Sequence, residues 1–554
     1  PTSRCYRLPH RRRGTAMTVA PLPRSLVSRR SRRAAFQDLA AGGLLAALGT
    51  AGSALRPRAA VAADTATSPA TPVAAGTGLS YLPAAEAQAL FLTRQLSLLE
   101  VLDAQIAQIE THNPSVNAIT FTHFDEARAA AREAERRYRQ GDARPLEGIT
   151  VGVKDDQLMR GKITTYGSVL FQDYRATENS PMIDKLTQAG AIFPIQTTVP
   201  EMMFHAATWS NLWGVTRNPW NLTYTPGGSS GGSAAALAGG FCTLATGSDM
   251  GGSIRIPASL CGLYGFKPPF GRVAPAPDGY DLVAAAEGPL ARTFVDMAMM
   301  QDVITGPHPR SFLALRPKLE YPLTYPSIEG WALAYDPEFM GAADSEYRRN
   351  TDAAVRRFAD LGAEVREVHL PWDSDDVADV LIEGGLLATS FGAGVTALLA
   401  AGDLLTPYVR ATAERGQNVD VQAASGRFLS TMQAMYLDLR RLVFDTGCRA
   451  LLVPTLRTTA VAADNDPATD TYRLNGQDVP GRGWFVTTAF NILNRCPVVN
   501  VPTGLDASTG VPAGLQIVAD AYEDLDAFQV AAAYAQTAPA FFTGNLLPDY
   551  REEL

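Results

Sequence analysis

Histidine is scarce in this 554-residue chain, with six in all, and cysteine scarcer still, with five. The cysteines (Cys5, Cys242, Cys261, Cys448, Cys496) form no C-x-x-C pair and no zinc spacing, which excludes a disulfide scaffold and a metal cluster; they read as small buried hydrophobes. Of the histidines, His112, His123, His205, His308 and His369 follow the first hundred residues, and none stands beside a strand-end acid as a catalytic triad requires. No Gly-Lys-Ser/Thr ending closes a glycine loop, so no P-loop is expected, nor any nucleotide, flavin or metal cofactor. Basic residues run short in the body. Residues 1–62 hold twelve arginines and one acid, leaving 36 basic and 55 acidic residues beyond them, a net charge near −19 with His neutral. Such a surface repels nucleic acid and anionic membranes.

What is present begins with an address. Ser28–Phe36 is basic, Leu39–Leu55 is apolar and small, and Ala60-Val61-Ala62 is an A-x-A cleavage pattern. That order reads as a secretory signal peptide over residues 1–62, with twin-arginine character in Arg32-Arg33 ahead of Phe36, and the expected location is the periplasm or the exterior. The apolar stretch is short for a membrane span, which takes about 20 apolar residues. Residues 63–78, rich in Ala, Thr and Pro, read as a flexible leader.

From residue 79 to 554 no second linker and no fixed repeat appears, so one long domain is expected. Helical periodicity runs from Ala84 to Thr111, Ala127 to Arg139, Met182 to Ala189, Ala353 to Phe358, Ala378 to Ala400 and Ala527 to Thr537. Apolar β-branched runs at Ile149–Val153, Gly190–Phe193, Leu451–Val453 and Val498–Val501 read as buried strands. The alternation predicts an α/β sandwich around a central sheet.

Two glycine-serine loops carry the chemistry. Pro226–Gly232 includes Ser229 and Ser230; Gly247–Pro257 includes Ser253 after Gly251 and Gly252. Glycine lets main-chain N–H groups crowd round a ligand, which is what an oxyanion needs. A serine hydroxyl requires a base, and with histidine out of place a buried lysine is the other choice, since burial disfavours its charged form. Lys154 ends the apolar run Ile149–Val153.

Gly152–Asp155, Pro200-Glu201, Thr216–Asn221, Pro226–Gly232, Asp249–Pro257, Gly262–Pro268, Pro497–Pro502 and Gly510–Gln516 together resemble the amidase signature family of serine hydrolases, over nearly all of Leu79–Leu554. The resemblance implies a central mixed β-sheet flanked by α-helices on both faces. It implies a Ser-Ser-Lys triad: Ser253 as acylated nucleophile, Ser229 as proton relay after a cis Gly228–Ser229 bond, Lys154 as base. The N–H groups of Met250, Gly251, Gly252 and Ser253 would form the oxyanion hole, with Ser230, Asp249 and Arg255 holding the loops. The implied reaction is hydrolysis of a small-molecule amide through an acyl-serine, and a homodimer is in keeping with the family. Met203 and Phe204 follow Pro200-Glu201 where some relatives line the acyl pocket. Where the family often has Lys-Asp-Asn, this chain reads Lys154-Asp155-Asp156, a departure expected to bear on substrate preference and not to touch the triad. Gly265–Pro269 with Gly288–Ala291 is similar to the cyclic-oligoamide hydrolases, so oligoamides and carbamates join aryl and alkyl amides as candidates. Residues 457–484 are expected to form a loop over the pocket.

Three rival readings differ by class. Gly227–Gly231 satisfies G-x-S-x-G, the α/β-hydrolase elbow, but no histidine lies in context downstream. A glutamine-hydrolysing component of a tRNA amidotransferase shares the motifs, and the export signal argues against it. An exported binding protein could hold an anion in the same glycine loops, but would leave Lys154 and the two serines without a purpose.

Overall fold

The computed structural model describes residues 78–552 apart from 276–281, 468 and 545. The expected signal peptide and all but the last residue of the expected leader lie outside the described residues.

Eleven strands form one sheet: β1 (Ile119–Thr122), β2 (Thr150–Lys154), β3 (Ile192–Thr197), β4 (Leu244–Asp249), β5 (Tyr264–Lys267), β6 (Ala286–Ala291), β7 (Ala332–Tyr335), β8 (Glu364–Glu367), β9 (Cys448–Pro454), β10 (Val498–Leu505) and β11 (Pro512–Val518). Their order is β1-β3-β2-β4-β6-β5-β10-β11-β9-β7-β8. The sheet is mixed. β3, β2 and β4 run parallel, as do β9, β7 and β8, while antiparallel pairs join these two ends through the middle. β2 is buried at all five residues, as its near-continuous apolar run requires of an interior parallel strand.

The helices that matter for the site are α1 (Ala84–Leu92), α2 (Leu98–Val116), α3 (Phe124–Gln140), α4 (Pro181–Gln188), α5 (Gly231–Ala238), α6 (Arg255–Leu260), α7 (Phe294–Ile304), α8 (Ser345–Asp360), α9 (Ser374–Val380), α10 (Ser390–Ala397), α11 (Pro407–Gln417), α12 (Val421–Leu442) and α13 (Asp524–Ala535). One apolar core gathers α1–α4, α7, α8 and α13 against the sheet; a separate one holds α5 with Trp220 and Phe541. Every residue of α5 is buried, and its Gly/Ala composition lets it lie close on the sheet. A Cβ on Gly232 would stand 2.4 Å from the backbone N of Thr198, so that approach demands glycine.

Two expected helices are broken. The run from Ala84 stops at Leu92 and restarts at Leu98, with Arg94 at φ 59° in between. The cause is a capping box: Ser97 Oγ accepts from Leu99 N–H, and Glu100 reaches back to the N–H of Ser97. The run 378–400 begins in α9, widens into a π-helical turn at Leu381–Leu387 and resumes as α10. Gly384 permits the turn to press on α12, where a Cβ would meet the Ala424 carbonyl oxygen at 2.6 Å. Residues 457–484 are not a bare loop, for they contain a hairpin, Thr471–Leu474 with Gln477–Pro480. The four described cysteines are buried and free. Among the described residues no single helix is long and apolar enough to cross a membrane.

Candidate active site

β2 ends in Lys154, whose side chain is fully buried behind Ser229 and Ser248, two residues that line a cavity of about 300 Å³. The strand pins its last residue, since Lys154 N–H donates to Thr246 Oγ1 on β4 at 2.9 Å. At the other end of the side chain, Nζ donates to Ser229 Oγ at 2.8 Å and to Ser248 Oγ at 2.7 Å. Burial pushes the ammonium below its ordinary range, opposed by the carboxylates of Asp156, Asp249 and Glu287.

Asp156 corrects an expectation. Its Oδ2 lies 3.2 Å from Lys154 Nζ and accepts from Ser248 Oγ at 2.6 Å, so this carboxylate does touch the expected triad. Ser248 was not singled out from the sequence; it is the clamp between base and carboxylate. The chain turns after β2, which brings a residue two positions beyond the strand end back against the lysine tip.

The two loops meet at the tip of this lysine. Ser229 follows a cis Gly228–Ser229 bond and is buried. Ser230 ties loop to loop: its N–H donates to the Ser253 carbonyl at 3.2 Å and its hydroxyl to the Ser248 carbonyl at 3.4 Å. Ser253 lines the cavity, and among the described residues its Oγ makes no hydrogen bond.

Asp249 and Arg255 hold the second loop from beneath. Arg255 grips both carboxylate oxygens, Nη2 to Oδ1 at 2.9 Å and Nε to Oδ2 at 3.0 Å, and both residues are buried. Arg255 also donates to the Thr487 carbonyl, Gln516 Oε1 and Asn491 Oδ1. The guanidinium outweighs burial and holds the Asp249 carboxyl well below the usual range. Asp249 in turn accepts the N–H groups of Gly252, at 2.9 Å, and Ile254, at 3.1 Å. Gly252 is thereby removed from the expected oxyanion donors, because its N–H is already engaged. The N–H groups of Met250, Gly251 and Ser253 make no hydrogen bond among the described residues and keep that capacity. Gly252 sits at φ +119°, and a Cβ there would stand 2.0 Å from Thr487 Oγ1, so its conformation and its space both require glycine.

Met203 and Phe204 line the cavity as expected, on a turn held by Glu201, which accepts from Ser168 Oγ and Thr406 N–H. A further part of the lining was not foreseen: Leu381, Ile382, Leu386 and Phe391 from the π-turn and α10, Phe391 edge-on to Phe204, with Phe485 and Arg482 beyond the hairpin. His205 lines the same cavity, but its Nε2 bonds to the Asn465 carbonyl at 2.8 Å, and burial pushes it down to about 4. It is neutral and spoken for. A second buried lysine, Lys267, is pushed down to about 7, yet it bonds to Asn494 Oδ1 and the Cys496 carbonyl away from the cavity lining. Among the described residues no group of three His, Cys, Asp or Glu side chains is placed to hold a metal.

A lysine bonded to a loop serine, beside a second serine in a cavity with unengaged backbone N–H groups, is an arrangement that serine-type acyl transfer can use. The amidase family profile matches residues 100–526, so the chain belongs to the amidase family. It is similar over 480 residues, at 32% identity, to a glutamyl-tRNA(Gln) amidotransferase chain of Synechococcus sp. (strain CC9605), covering 81% of this chain and 94% of the relative. Among solved structures it resembles a bacterial aryl acylamidase of the amidase signature family, with a TM-score of 0.75 and 30% identity over 83% of this chain and 96% of that one. It also resembles 6-aminohexanoate cyclic dimer hydrolase, with a TM-score of 0.71 and 26% identity over 85% and 99% of the two chains. It is an amidase signature enzyme acting on C–N bonds.

Proposed function

We propose that this protein is an exported amidase that cleaves a small-molecule amide to a carboxylate and an amine or ammonia through an acyl-serine. The observation that carries the reading is the buried Lys154 Nζ bonded to Ser229 Oγ at 2.8 Å beside the cavity that Ser253 lines. Neutral Lys154 draws the proton of Ser229, Ser229 takes that of Ser253, and Ser253 Oγ attacks the amide carbon. The N–H groups of Gly251 and Ser253, with Met250 beside them, receive the developing oxyanion. The proton returns through Ser229 to the leaving nitrogen, and water then releases the acid by the same path. Burial supports the neutral base, because a desolvated ammonium loses its proton more readily.

The apolar cavity wall supports an alkyl or aryl acyl group over a glutamine side chain, and the signal-like N-terminus supports export over work in a cytoplasmic amidotransferase. The test is turnover of an amide panel by the purified protein, with labelling by a fluorophosphonate. Ser253→Ala is expected to abolish both, and Lys154→Ala to lower turnover by at least about a thousandfold. Full labelling of Ser253→Ala would overturn the assignment of the nucleophile. Export is tested by fractionating cells that express the chain with Arg32 and Arg33 changed to lysine; unchanged secretion argues against the twin-arginine route.

A further inference from the structure

The cavity lining is mostly apolar, yet among the described residues one cation faces it. Arg482 follows the hairpin, lines the cavity and is only partly exposed. Among the described residues its guanidinium makes no hydrogen bond and no ion pair. The charges it feels are Arg415, of its own sign, and Asp379. Arg415 already engages Asp379 at 2.8 Å, and Glu383 at 2.7 Å, so those carboxylates are spent. Burial and Arg415 both disfavour the charge on Arg482, and among the described residues only Asp379, already engaged by Arg415, favours it. A desolvated guanidinium carries five donors in a planar fork and cannot shed its proton at working pH. An uncompensated cation of this kind costs free energy unless a ligand brings the counter-charge. The rest of the chain makes the contrast sharper, since beyond residue 62 acids outnumber bases 55 to 36.

Arg482 acts electrostatically on His205, which directly follows Met203 and Phe204 on the cavity wall. It therefore lies within electrostatic reach of the segment that packs against Gly228 beside Ser229, in the same chamber that Ser253 lines.

Resting on the amidase reading, we propose that Arg482 binds a carboxylate at the far end of the substrate's acyl chain, so that the amides this site prefers are half-amides of dicarboxylic acids, with an apolar spacer between the scissile carbonyl and the acid. The fork of Arg482 takes the carboxylate in a bidentate pair. The spacer lies along the apolar lining of the chamber, and the scissile carbonyl reaches Ser253.

The experiment uses the full chain and two matched p-nitroanilide series, one ending in carboxylate (succinyl, glutaryl, adipoyl, suberoyl) and one in methyl (butyryl, valeryl, hexanoyl, octanoyl). At one spacer length or more, wild type is expected to favour the carboxylate substrate in kcat/KM by roughly ten- to hundredfold, the range of a hydrogen bond to a charged group. In Arg482→Gln that ratio falls to about one or below, carried mainly by KM, and Arg482→Lys recovers part of it. The ratio is internal to each enzyme, so a general loss of fold or activity does not imitate the result. A methyl preference at every length, or a ratio unmoved in Arg482→Gln, overturns the proposal. If neither series is cut, the same comparison is read as the rise in Tm on adding adipamic acid or hexanamide. A larger rise with adipamic acid that vanishes in Arg482→Gln supports the carboxylate site, and equal rises refute it. Absence of fluorophosphonate labelling in the same protein tells separately against the amidase reading.

Discussion

Changing Asp156 to asparagine removes the negative charge nearest to Lys154 while keeping the shape of the side chain and an oxygen to accept from Ser248. The charge lies 3.2 Å from Nζ in a site where the lysine is fully buried. Two unit charges 4 Å apart attract by about 4 kcal/mol at an effective dielectric of about 20. The asparagine dipole recovers part of that, and the carboxylates of Asp249 and Glu287 act on Lys154 in both proteins. A carboxylate at such range raises the pKa of a cationic partner by about 1–3 pH units, and with partial recovery the lower end applies. The sign follows from the mechanism. Lys154 works as a neutral base, Asp156 favours its charged form, and removing Asp156 lets the proton leave at lower pH. The acid limb of the kcat/KM profile is therefore expected to move down by about one pH unit, or about 1.4 kcal/mol. The plateau rate should fall as well, because a less basic lysine draws the serine proton less strongly. The assay is a kcat/KM profile from about pH 5 to 9 on one amide for both proteins, with melting curves to establish that the variant folds. A limb that stays in place or moves up would refute the role given to the Asp156–Lys154 contact.

Asp249→Asn leaves Arg255 buried without its counter-charge, and the expected cost is about 3–5 kcal/mol in urea unfolding; a loss below about 1 kcal/mol contradicts the pairing. Gly252→Ala places a methyl against Thr487 at a φ that L-residues rarely adopt, so fluorophosphonate labelling should slow by at least about tenfold, with loss of stability. His205 titrates near 4 in the fold against about 6.5 unfolded. Its neutral form is the folded one, so its contribution is whole above about pH 6.5 and is lost as pH falls toward about 4, by at most about 3 kcal/mol. His205→Gln should flatten that part of the stability–pH curve, measured by chemical unfolding; parallel curves would place the acid sensitivity elsewhere.

The sequence by itself determined the α/β alternation and, through its ordered motifs, the family, and the mixed sheet and the roles expected of Lys154, Ser229 and Ser253 followed from that resemblance; glycine-serine loops and a lysine closing an apolar strand are local patterns with few physical uses. It also held a further local signal: Ser97 and Glu100 spell the capping box that splits the first helical run, although the apolar periodicity there runs on through the break. Tertiary structure decided the rest. Asp156 reaches Lys154 only because the chain turns after β2 and because Ser248, ninety-two residues on, closes the gap. Gly252 leaves the oxyanion group only because the Asp249 carboxylate folds under its own loop. The cavity joins Met203 and Phe204 to Ile382, Phe391 and Arg482, segments far apart in the chain. Periodicity reports which residues face inward, and it carries nothing about which inward faces meet. That depends on strand order and on the close approach of helices, and both are set by packing over the whole sheet.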